Sequence, residues 1–272
     1  MAPLNSQSSI AAPDLAGRVA IVTGGAYGIG RATAILLARH GARVFVGDLH
    51  RRGENAAVFA EMGIIERPCD VRVESDAAAL VAAAVAAHGR LDILVNNAGV
   101  GLVKPITEVS EAEWNACLDT NLKGAFLFSK HAIPAMRDSG GGAITNVASN
   151  AGLLPRAHDP VYSISKAALV SLTKGLALCH AADRVRVNAV CPGPVDETGM
   201  MNADLAAAAD PEALRQKFIA ASPLARAYGR MIAPAEVAAA ILYLSSDVAA
   251  MVTGTAIAID GGKSLGVPPL SG

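Results

Sequence analysis

Residues 19–30 read VAIVTGGAYGIG and join an apolar run to a glycine-rich loop. The run predicts a buried β-strand over Val19–Thr23, and the loop leads into a helical pattern that Gly41 is placed to end. Glycines permit a tight turn from strand to helix and let backbone N–H groups approach a pyrophosphate at the helix N-terminus. The segment therefore predicts a dinucleotide-binding unit, although a glycine loop alone also fits a purely structural turn.

An acidic residue further along favours the dinucleotide interpretation. Asp48 ends the next predicted strand, at the distance from Gly30 that dinucleotide-binding units show. A carboxylate there can bind both ribose hydroxyls of NAD and would repel the 2′-phosphate of NADP. Arg51 and Arg52 follow closely and could soften that preference. The loop lacks a Lys followed by Ser or Thr, so a P-loop nucleotidase is disfavoured.

The composition disfavours several other classes of protein. Of the 272 residues 52% are hydrophobic, and 23 Lys and Arg balance 24 Asp and Glu, so no cationic excess favours nucleic acid. The longest purely apolar run, Ala77–Ala87, is too short to span a membrane, and residues 1–13 lack a signal-peptide pattern. The scattered cysteines and histidines support neither disulfides nor a metal site. We expect a soluble, cytoplasmic protein.

The chain alternates strand-like runs with helical patterns from Gly17 onward. This alternation predicts one α/β domain over residues 17–272, with a Rossmann-like, doubly wound parallel sheet of about seven strands and helices on both faces. Residues 1–16, rich in Ser, Pro and Ala, are predicted to form a flexible tail. Ser110 and Glu113 predict a capping box at the start of a helix. The further predicted strands are Val44–Asp48, Ile64–Cys69, Leu91–Asn96, Ala143–Ala148, Val185–Val190 and Ala256–Ile259.

A tyrosine and a lysine four residues apart suggest acid–base chemistry. On a helix Tyr162 and Lys166 would share one face. The lysine cation, together with oxidised nicotinamide, favours the phenolate and should lower the pKa of Tyr162 from its usual value of about 10. Tyr162 could then take a proton from an alcohol, while Ser149 bonds the substrate oxygen. Each residue also has a purely structural interpretation. Tyr162 could be a packed core residue, Lys166 a solvated side chain and Ser149 a helix cap.

Taken in order, these motifs resemble the short-chain dehydrogenase/reductase family in its shorter, single-domain form. The resemblance covers residues 17–262, and Ser149 precedes Tyr162 by the family's usual interval. The motifs that carry it are Thr23-Gly24-x-x-x-Gly28-x-Gly30, Asn96-Asn97-Ala98-Gly99, Asn121, Ser149, Tyr162-x-x-x-Lys166, Pro192-Gly193, Gly254 and Asp260-Gly261-Gly262.

The resemblance implies an NAD(H)-dependent oxidoreductase that moves hydride between a secondary alcohol or ketone and nicotinamide. Tyr162 would be the acid/base, and Asn121 would hold a water against Lys166. The implied catalytic residues are Asn121, Ser149, Tyr162 and Lys166. The implied cofactor-binding residues are Gly24, Tyr27, Gly28, Ile29, Gly30, Asp48, Asp70, Val71, Asn97, Gly99, Tyr162, Lys166, Pro192, Gly193 and Val195.

Two positions depart from the family's common pattern. NADP-preferring members often carry a basic residue just before the second loop glycine, where this chain has Tyr27, which agrees with Asp48 in favouring NAD. Many relatives have Thr at the position of Glu197, whereas here the threonine is Thr198. A one-residue insertion would explain the offset and leaves the threonine's contact with the carboxamide open.

The substrate is less well specified than the reaction. Residues 196–228 contain Met and Phe on an Ala-rich helical background and, by resemblance, form a mobile lid over an apolar substrate. Arg156 is a further polar candidate beside the predicted substrate residues, which are Ser149, Leu153, His158 and Met200. Sugar alcohols, steroids, cyclic diketones and acyl-carrier-bound ketoacyl groups remain open.

Two other functions remain as alternatives. One is an NADPH-dependent 3-oxoacyl-carrier-protein reductase, which Asp48 and Tyr27 disfavour. The other is a non-catalytic dinucleotide sensor, which the filled catalytic positions disfavour. The resemblance also implies a homotetramer that pairs through the helices carrying Asn121 and Tyr162.

Overall fold

The computed structural model describes residues 13–154 and 156–266. The strands are β1 Val19–Thr23, β2 Arg43–Asp48, β3 Ile65–Pro68, β4 Ile93–Asn96, β5 Gly142–Val147, β6 Val185–Pro192 and β7 Ala256–Ile259. The helices are α1 Gly28–Arg39, α2 Ala56–Met62, α3 Glu74–His88, α4 Glu111–Leu118, α5 Gly124–Asp138, α6 Pro160–Cys179, α7 Gly199–Ala207, α8 Pro211–Ala220, α9 Pro223–Tyr228 and α10 Pro234–Ser245.

All seven strands join one parallel sheet in the order β3-β2-β1-β4-β5-β6-β7. This order is that of a doubly wound sheet, so the predicted fold class is confirmed. Every predicted strand is present, and its ends lie within two residues of the predicted ones. Within the described part of the chain, no helix is both long and apolar enough to cross a bilayer.

Helices cover both faces of the sheet. Val19 and Ile21 of β1 pack with side chains of α3, α5 and α6, whereas Ala20 and Val22 pack with those of α1, α2 and α10. Because both faces are buried, the strand needs apolar residues at successive positions. This explains why the sequence shows an unbroken apolar run in β1 rather than an alternation.

The folded domain begins before the predicted boundary at Gly17. Residues 1–12 of the predicted tail lie outside the described residues. Leu15, however, is buried, and its N–H donates to the carbonyl of His40 at 2.9 Å. The end of the segment predicted to be a flexible tail therefore packs against the helical layer that contains α1.

Close packing at the first turn of α1 requires glycine. A Cβ on Gly30 would stand 2.2 Å from the carbonyl oxygen of Gly24 and 2.4 Å from Nδ2 of Asn97. Both distances are far below a van der Waals contact, and one neighbour is backbone. The loop after β1 can thus approach the loop after β4 only because Gly30 has no side chain.

The predicted capping box is present at the start of α4. The backbone N–H of Glu113 donates to Oγ of Ser110, and the backbone N–H of Ser110 donates to Oε2 of Glu113 at 2.8 Å. The box fixes where α4 begins and therefore where the following turn, which carries Asn121, lies.

We predict opposite effects on stability from two Gly→Ala substitutions. Gly30→Ala should lower the free energy of unfolding by about 1–3 kcal/mol, since it overpacks a backbone contact. Gly175→Ala, inside α6 with open space around the new methyl group, should raise it by about 0.5–1 kcal/mol. Urea unfolding measures both, and a Gly30→Ala protein as stable as wild type would contradict the packing described.

Candidate active site

A cleft of about 480 Å³ opens at the carboxyl ends of the strands. The sheet order reverses between β1 and β4, and parallel sheets commonly bind ligands at such a switch point. The loops that follow β1, β2, β4, β5 and β6 line the cleft, and α7 contributes its first turns. The cleft therefore joins the glycine loop to the predicted catalytic residues.

Two side chains shape the glycine-loop end of the cleft. Nδ2 of Asn97 donates to the carbonyl oxygens of Thr23 and Gly24, each at 2.9 Å, and so ties β4 to the loop. The carboxylate of Asp48 accepts from the backbone N–H of Ala26 at 3.0 Å and lines the cleft. Asp48 is therefore held at the end of β2 in the position that the sequence predicted.

Tyr27 connects this end of the cleft to α7. Its hydroxyl accepts a hydrogen bond from Nδ2 of Asn202 at 2.9 Å. The guanidinium carbon of Arg52 lies 4.3 Å from the centroid of the Tyr27 ring, and Arg52 lines the cleft. Arg51 instead donates to the carbonyl of Glu66 at 2.8 Å. Of the two arginines near Asp48, Arg52 is thus the one placed in the cleft.

Asp70 and Val71 follow β3 and also line the cleft. The guanidinium of Arg72 donates to both carboxylate oxygens of Asp70, the shorter contact being 2.6 Å. These hydrogen bonds hold the pKa of Asp70 below its ordinary value. Asp70 is consequently an anion of fixed orientation at this wall.

Tyr162, Lys166 and Ser149 meet at the other end of the cleft. Tyr162 and Lys166 lie one turn apart on α6, are both buried, and line the cleft with Ser149. Nζ of Lys166 donates to the carbonyl of Val147 at 2.9 Å and lies 5.8 Å from the centroid of the Tyr162 ring. Oγ of Ser149 accepts from the N–H of Ala151 at 3.1 Å, and Ser149 acts to lower the pKa of Tyr162. The structure brings these three predicted residues together.

Asn121 lies behind this group, in a π-helical turn over Asp119–Lys123 that joins α4 to α5. Its Nδ2 donates to the carbonyl of Val100 and to Oγ of Ser165, and its Oδ1 accepts from the N–H of Val100 at 2.8 Å. Single π-turns occur frequently at functional sites. The side chain of Asn121 thus fixes the loop after β4 and does not line the cleft.

Gly99 separates Asn121 from Lys166. A Cβ on Gly99 would stand 3.2 Å from Nζ of Lys166 and 3.3 Å from Oδ1 of Asn121. The lack of a side chain at this position is what lets the loop after β4 pass so close to the lysine.

Burial controls the titration of the two central groups. Burial raises the pKa of Tyr162, and this effect outweighs the lowering by Ser149 and by the charge of Arg156. Burial lowers the pKa of Lys166 to about 8. Among the chain's own groups the balance therefore raises the pKa of Tyr162, and the lowering expected from Lys166 together with oxidised nicotinamide stays a prediction. At a buried site, the cost of desolvating the phenolate outweighs the stabilisation that a neighbouring positive charge provides.

The loop after β6 holds Glu197 and Thr198 in different environments. Glu197 takes a left-handed conformation with φ +52°. Thr198 then caps α7, since its Oγ1 accepts from the N–H of Met201 at 3.2 Å. Thr198 lies beside Gly28 and lines the cleft. Pro192, Gly193 and Val195 also line the cleft, whereas Glu197 does not.

The wall beyond Tyr162 differs from the one the sequence predicted. Met200 lines the cleft, but Leu153 and His158 are exposed and lie outside it. Arg156 takes the polar position instead, and Asp204 of α7 joins it. Asp204 was not among the residues predicted from the sequence, although it follows Met200 by one helical turn, a spacing that could have indicated it.

No three His, Cys, Asp or Glu side chains within residues 13–154 and 156–266 are grouped to hold a metal ion. The polar groups of the cleft are instead hydroxyls, two amides, carboxylates and cations. That set suits proton transfer and the binding of ribose and pyrophosphate groups.

This combination of a doubly wound sheet, a glycine loop and a buried tyrosine–lysine helix is typical of dinucleotide-dependent oxidoreductases. Residues 24–264 match a family model described as enoyl-(acyl carrier protein) reductase. A solved short-chain dehydrogenase/reductase from Burkholderia xenovorans is 36% identical, with a TM-score of 0.87 over 94% of this chain and 100% of that one. The chain belongs to the short-chain dehydrogenase/reductase family.

Two characterised relatives are dehydrogenases. The 4-formylbenzenesulfonate dehydrogenase of Comamonas testosteroni is 42% identical over 253 residues, which are 91% of this chain and 98% of that protein. The cis-4-hydroxycyclohexanecarboxylate dehydrogenase of Sinomonas cyclohexanicum is 41% identical over 249 residues, which are 90% of this chain and 96% of that protein. The chain is therefore an oxidoreductase of this family, similar to dehydrogenases along nearly its whole length.

We predict that Tyr27→Phe loosens the segment from α7 to α9. Loss of the hydrogen bond to Asn202 should raise the rate of tryptic cleavage at Arg215, Lys217 or Arg226 by about two- to tenfold, because one neutral hydrogen bond is lost. Asn202→Ala should give the same increase. Tyr243→Phe, which removes a hydroxyl from α10, should leave the rate unchanged, and equal cleavage of Tyr27→Phe and wild type would contradict the coupling.

Proposed function

We propose that the protein is an NAD(H)-dependent dehydrogenase that transfers hydride between a secondary alcohol or ketone and the nicotinamide, with Tyr162 as the acid/base. The observation that carries this proposal is the meeting of Tyr162, Lys166 and Ser149 in one cleft with the glycine loop and Asp48. Such a cleft can hold a dinucleotide at one end and a substrate alcohol at the other.

The residues of the cleft fit a dinucleotide with an unphosphorylated ribose. Gly28 and Ile29 in the first turn of α1 line the cleft, as does Asp48. A helix N-terminus suits a pyrophosphate and a carboxylate suits ribose hydroxyls, which supports the proposal. When bound, NAD supplies the acceptor for the hydride. The proposed cofactor contacts are Gly24, Tyr27, Gly28, Ile29, Gly30, Asp48, Asp70, Val71, Asn97, Gly99, Tyr162, Lys166, Pro192, Gly193 and Val195.

The chain's own groups would handle the proton. The hydroxyl of Ser149 would hold the substrate oxygen, and the oxygen of Tyr162 would accept its proton in oxidation or return it in reduction. Lys166, fixed by the carbonyl of Val147, would favour the ionised phenol and hold the nicotinamide ribose. Asn121 would keep the loop after β4 in place beside Lys166.

The substrate would have an apolar body. Val100, Met200, Met201 and Phe218 line the cleft, and Met200 packs against the cluster that contains Tyr162. Methionine adapts to varied apolar shapes. The two relatives are named for ring compounds that carry a carboxylate or a sulfonate, so cis-4-hydroxycyclohexanecarboxylate and an alcohol of the benzenesulfonate series belong in a first panel.

Reduction of a carrier-bound acyl group is the second candidate, since the matching family model bears that description. Asp48 argues against the NADPH that such a reductase would use. Tyr27 argues against it too, because it stands where NADP-preferring relatives often carry a basic residue. Oxidation of NADPH by a 3-oxoacyl thioester, faster than any alcohol is oxidised with NAD, would favour this candidate. Dinucleotide binding with no turnover of either panel would favour a sensor.

We predict that NAD binds at least about tenfold more tightly than NADP, since an acid facing the 2′-phosphate costs about 1.4 kcal/mol or more. Asp48→Ala should narrow this gap, with Arg52 then available to the phosphate. Glu61→Ala, which removes an exposed acid from α2, should not. Dissociation constants for both cofactors test this, and equal or tighter NADP binding by wild type would overturn the assignment.

We predict that Tyr162→Phe lowers kcat by about 10²–10⁴ while the affinity for NAD stays nearly the same, because only the proton-transferring group is lost. Tyr243→Phe on α10 should retain activity. Steady-state kinetics and cofactor titration are the measurements. A Tyr162→Phe enzyme with more than a tenth of wild-type turnover would mean that another group is the acid/base.

The domain, its lid and its assembly complete the proposal. One catalytic domain, which includes Leu15 as well as the predicted residues 17–272, would assemble into a cytoplasmic homotetramer, and α7, α8 and α9 would be the lid within residues 196–228. Phe126 on α5 and Ile164 on α6 are about half exposed, as a pairing surface on these helices requires.

Phe126→Asp should reduce the molar mass measured by light scattering, because it places a charge on this pairing surface. An unchanged molar mass would mean that the interface lies elsewhere.

A further inference from the structure

A second cation lies as close to Tyr162 as Lys166 does. The guanidinium carbon of Arg156 is 5.5 Å from the centroid of the Tyr162 ring, and Nζ of Lys166 is 5.8 Å from it. Arg156 belongs to the loop before α6 and lines the cleft, whereas Lys166 approaches from within α6. Charges at such distances shift the pKa of a neighbouring group by about one to three units.

The two cations differ in how long they keep their charge as pH rises. Burial lowers the pKa of Lys166 to about 8 and raises that of Tyr162, so this lysine loses its charge at a lower pH than the one at which the phenol ionises. A guanidinium keeps its charge throughout the range between these two pKa values. In alkaline solution Arg156 is therefore the more persistent cation beside Tyr162.

A buried carboxylate holds Arg156 in place and opposes its charge. Nε of Arg156 donates to Oδ1 of Asp159 at 3.1 Å, and its Nη2 donates to Oδ2. Ser163 donates its hydroxyl to the same carboxylate at 3.2 Å. Asp159 is buried at the start of α6, three residues before Tyr162. Its negative charge acts on the pKa of Tyr162 with the opposite sign.

The remaining titratable groups around this pair come from three other elements. Cys117 of α4 faces Tyr162, and burial raises the pKa of its thiol, which keeps it neutral. Asp204 of α7 faces Arg156 and Asp159. Lys263, which follows β7, faces the same two residues and Asp260. Arg156 and Asp159 are the members of this set that form a bidentate ion pair within the wall of the cleft.

We propose that Arg156 and Asp159 are positioning residues that set the proton affinity of Tyr162 with opposite signs, the guanidinium favouring the tyrosinate and the carboxylate disfavouring it. This inference rests on the proposed function, since it assigns Tyr162 the role of base. A pair that merely anchored the loop before α6 would also be bidentate and buried. It would not, however, shift the titration of Tyr162 in opposite directions when each partner is neutralised.

The test is the pH dependence of kcat/KM for alcohol oxidation at saturating NAD. Because the active form is the tyrosinate, activity rises with pH through the pKa of Tyr162. Arg156→Gln should move the midpoint up by about one pH unit, and Asp159→Asn should move it down by about as much. Arg156→Lys should stay near wild type. Arg215→Gln, which breaks an ion pair of α8 outside the cleft, should leave the midpoint unmoved.

A second measurement does not require turnover. Ultraviolet difference titration of each variant against the same variant with Tyr162→Phe reports the ionisation of Tyr162 alone. If Asp159→Asn does not fold, Arg156→Gln and Arg156→Lys still decide the matter by this titration. An unmoved midpoint in Arg156→Gln, or shifts of one sign in both single variants, would overturn the inference. Absence of any alcohol oxidation by wild type would instead overturn the proposed function.

Discussion

The site depends on the close approach of two loops at the centre of the sheet. Asn97, directly after β4, donates to two carbonyl oxygens of the glycine loop. The two loops lie so close together that there is no room for a side chain at Gly30. This contact joins the strands at which the sheet order reverses. The cleft, the start of α1 and the path of the chain toward Asn121 all follow from it, because each begins at one of these loops.

The second constraint is the low solvent exposure of Tyr162 and Lys166 at the catalytic end of the cleft. Tyr162 and Lys166 are buried, and desolvation disfavours the charged form of each. At Tyr162 the groups that oppose this cost are Ser149 and Arg156, and the arginine is paired with the carboxylate of Asp159. Chemistry that needs a tyrosinate here consequently depends on every positive charge brought near it, the oxidised nicotinamide included.

Local patterns in the sequence predicted what is determined locally. The apolar runs set the strands, Ser110 and Glu113 set the start of α4, and Asp48 followed from its place after β2. Contacts between distant segments were not predictable in this way. The hydrogen bond between Tyr27 and Asn202 joins residues 175 apart in the chain, and the packing of the loop before α6 decides which of its side chains reach the cleft. For the same reason Leu153 and His158 were wrongly predicted to lie in the cleft.

In the proposed function, hydride passes directly from an alcohol to NAD within this cleft. A secondary alcohol that carries deuterium on its carbinol carbon, chosen as the best substrate of the panel, tests this transfer when the nicotinamide product is analysed by mass spectrometry. We expect one deuterium in the reduced cofactor and none delivered from deuterated water. Reduced cofactor without the alcohol's deuterium, or bound NAD that no alcohol reduces, would contradict it.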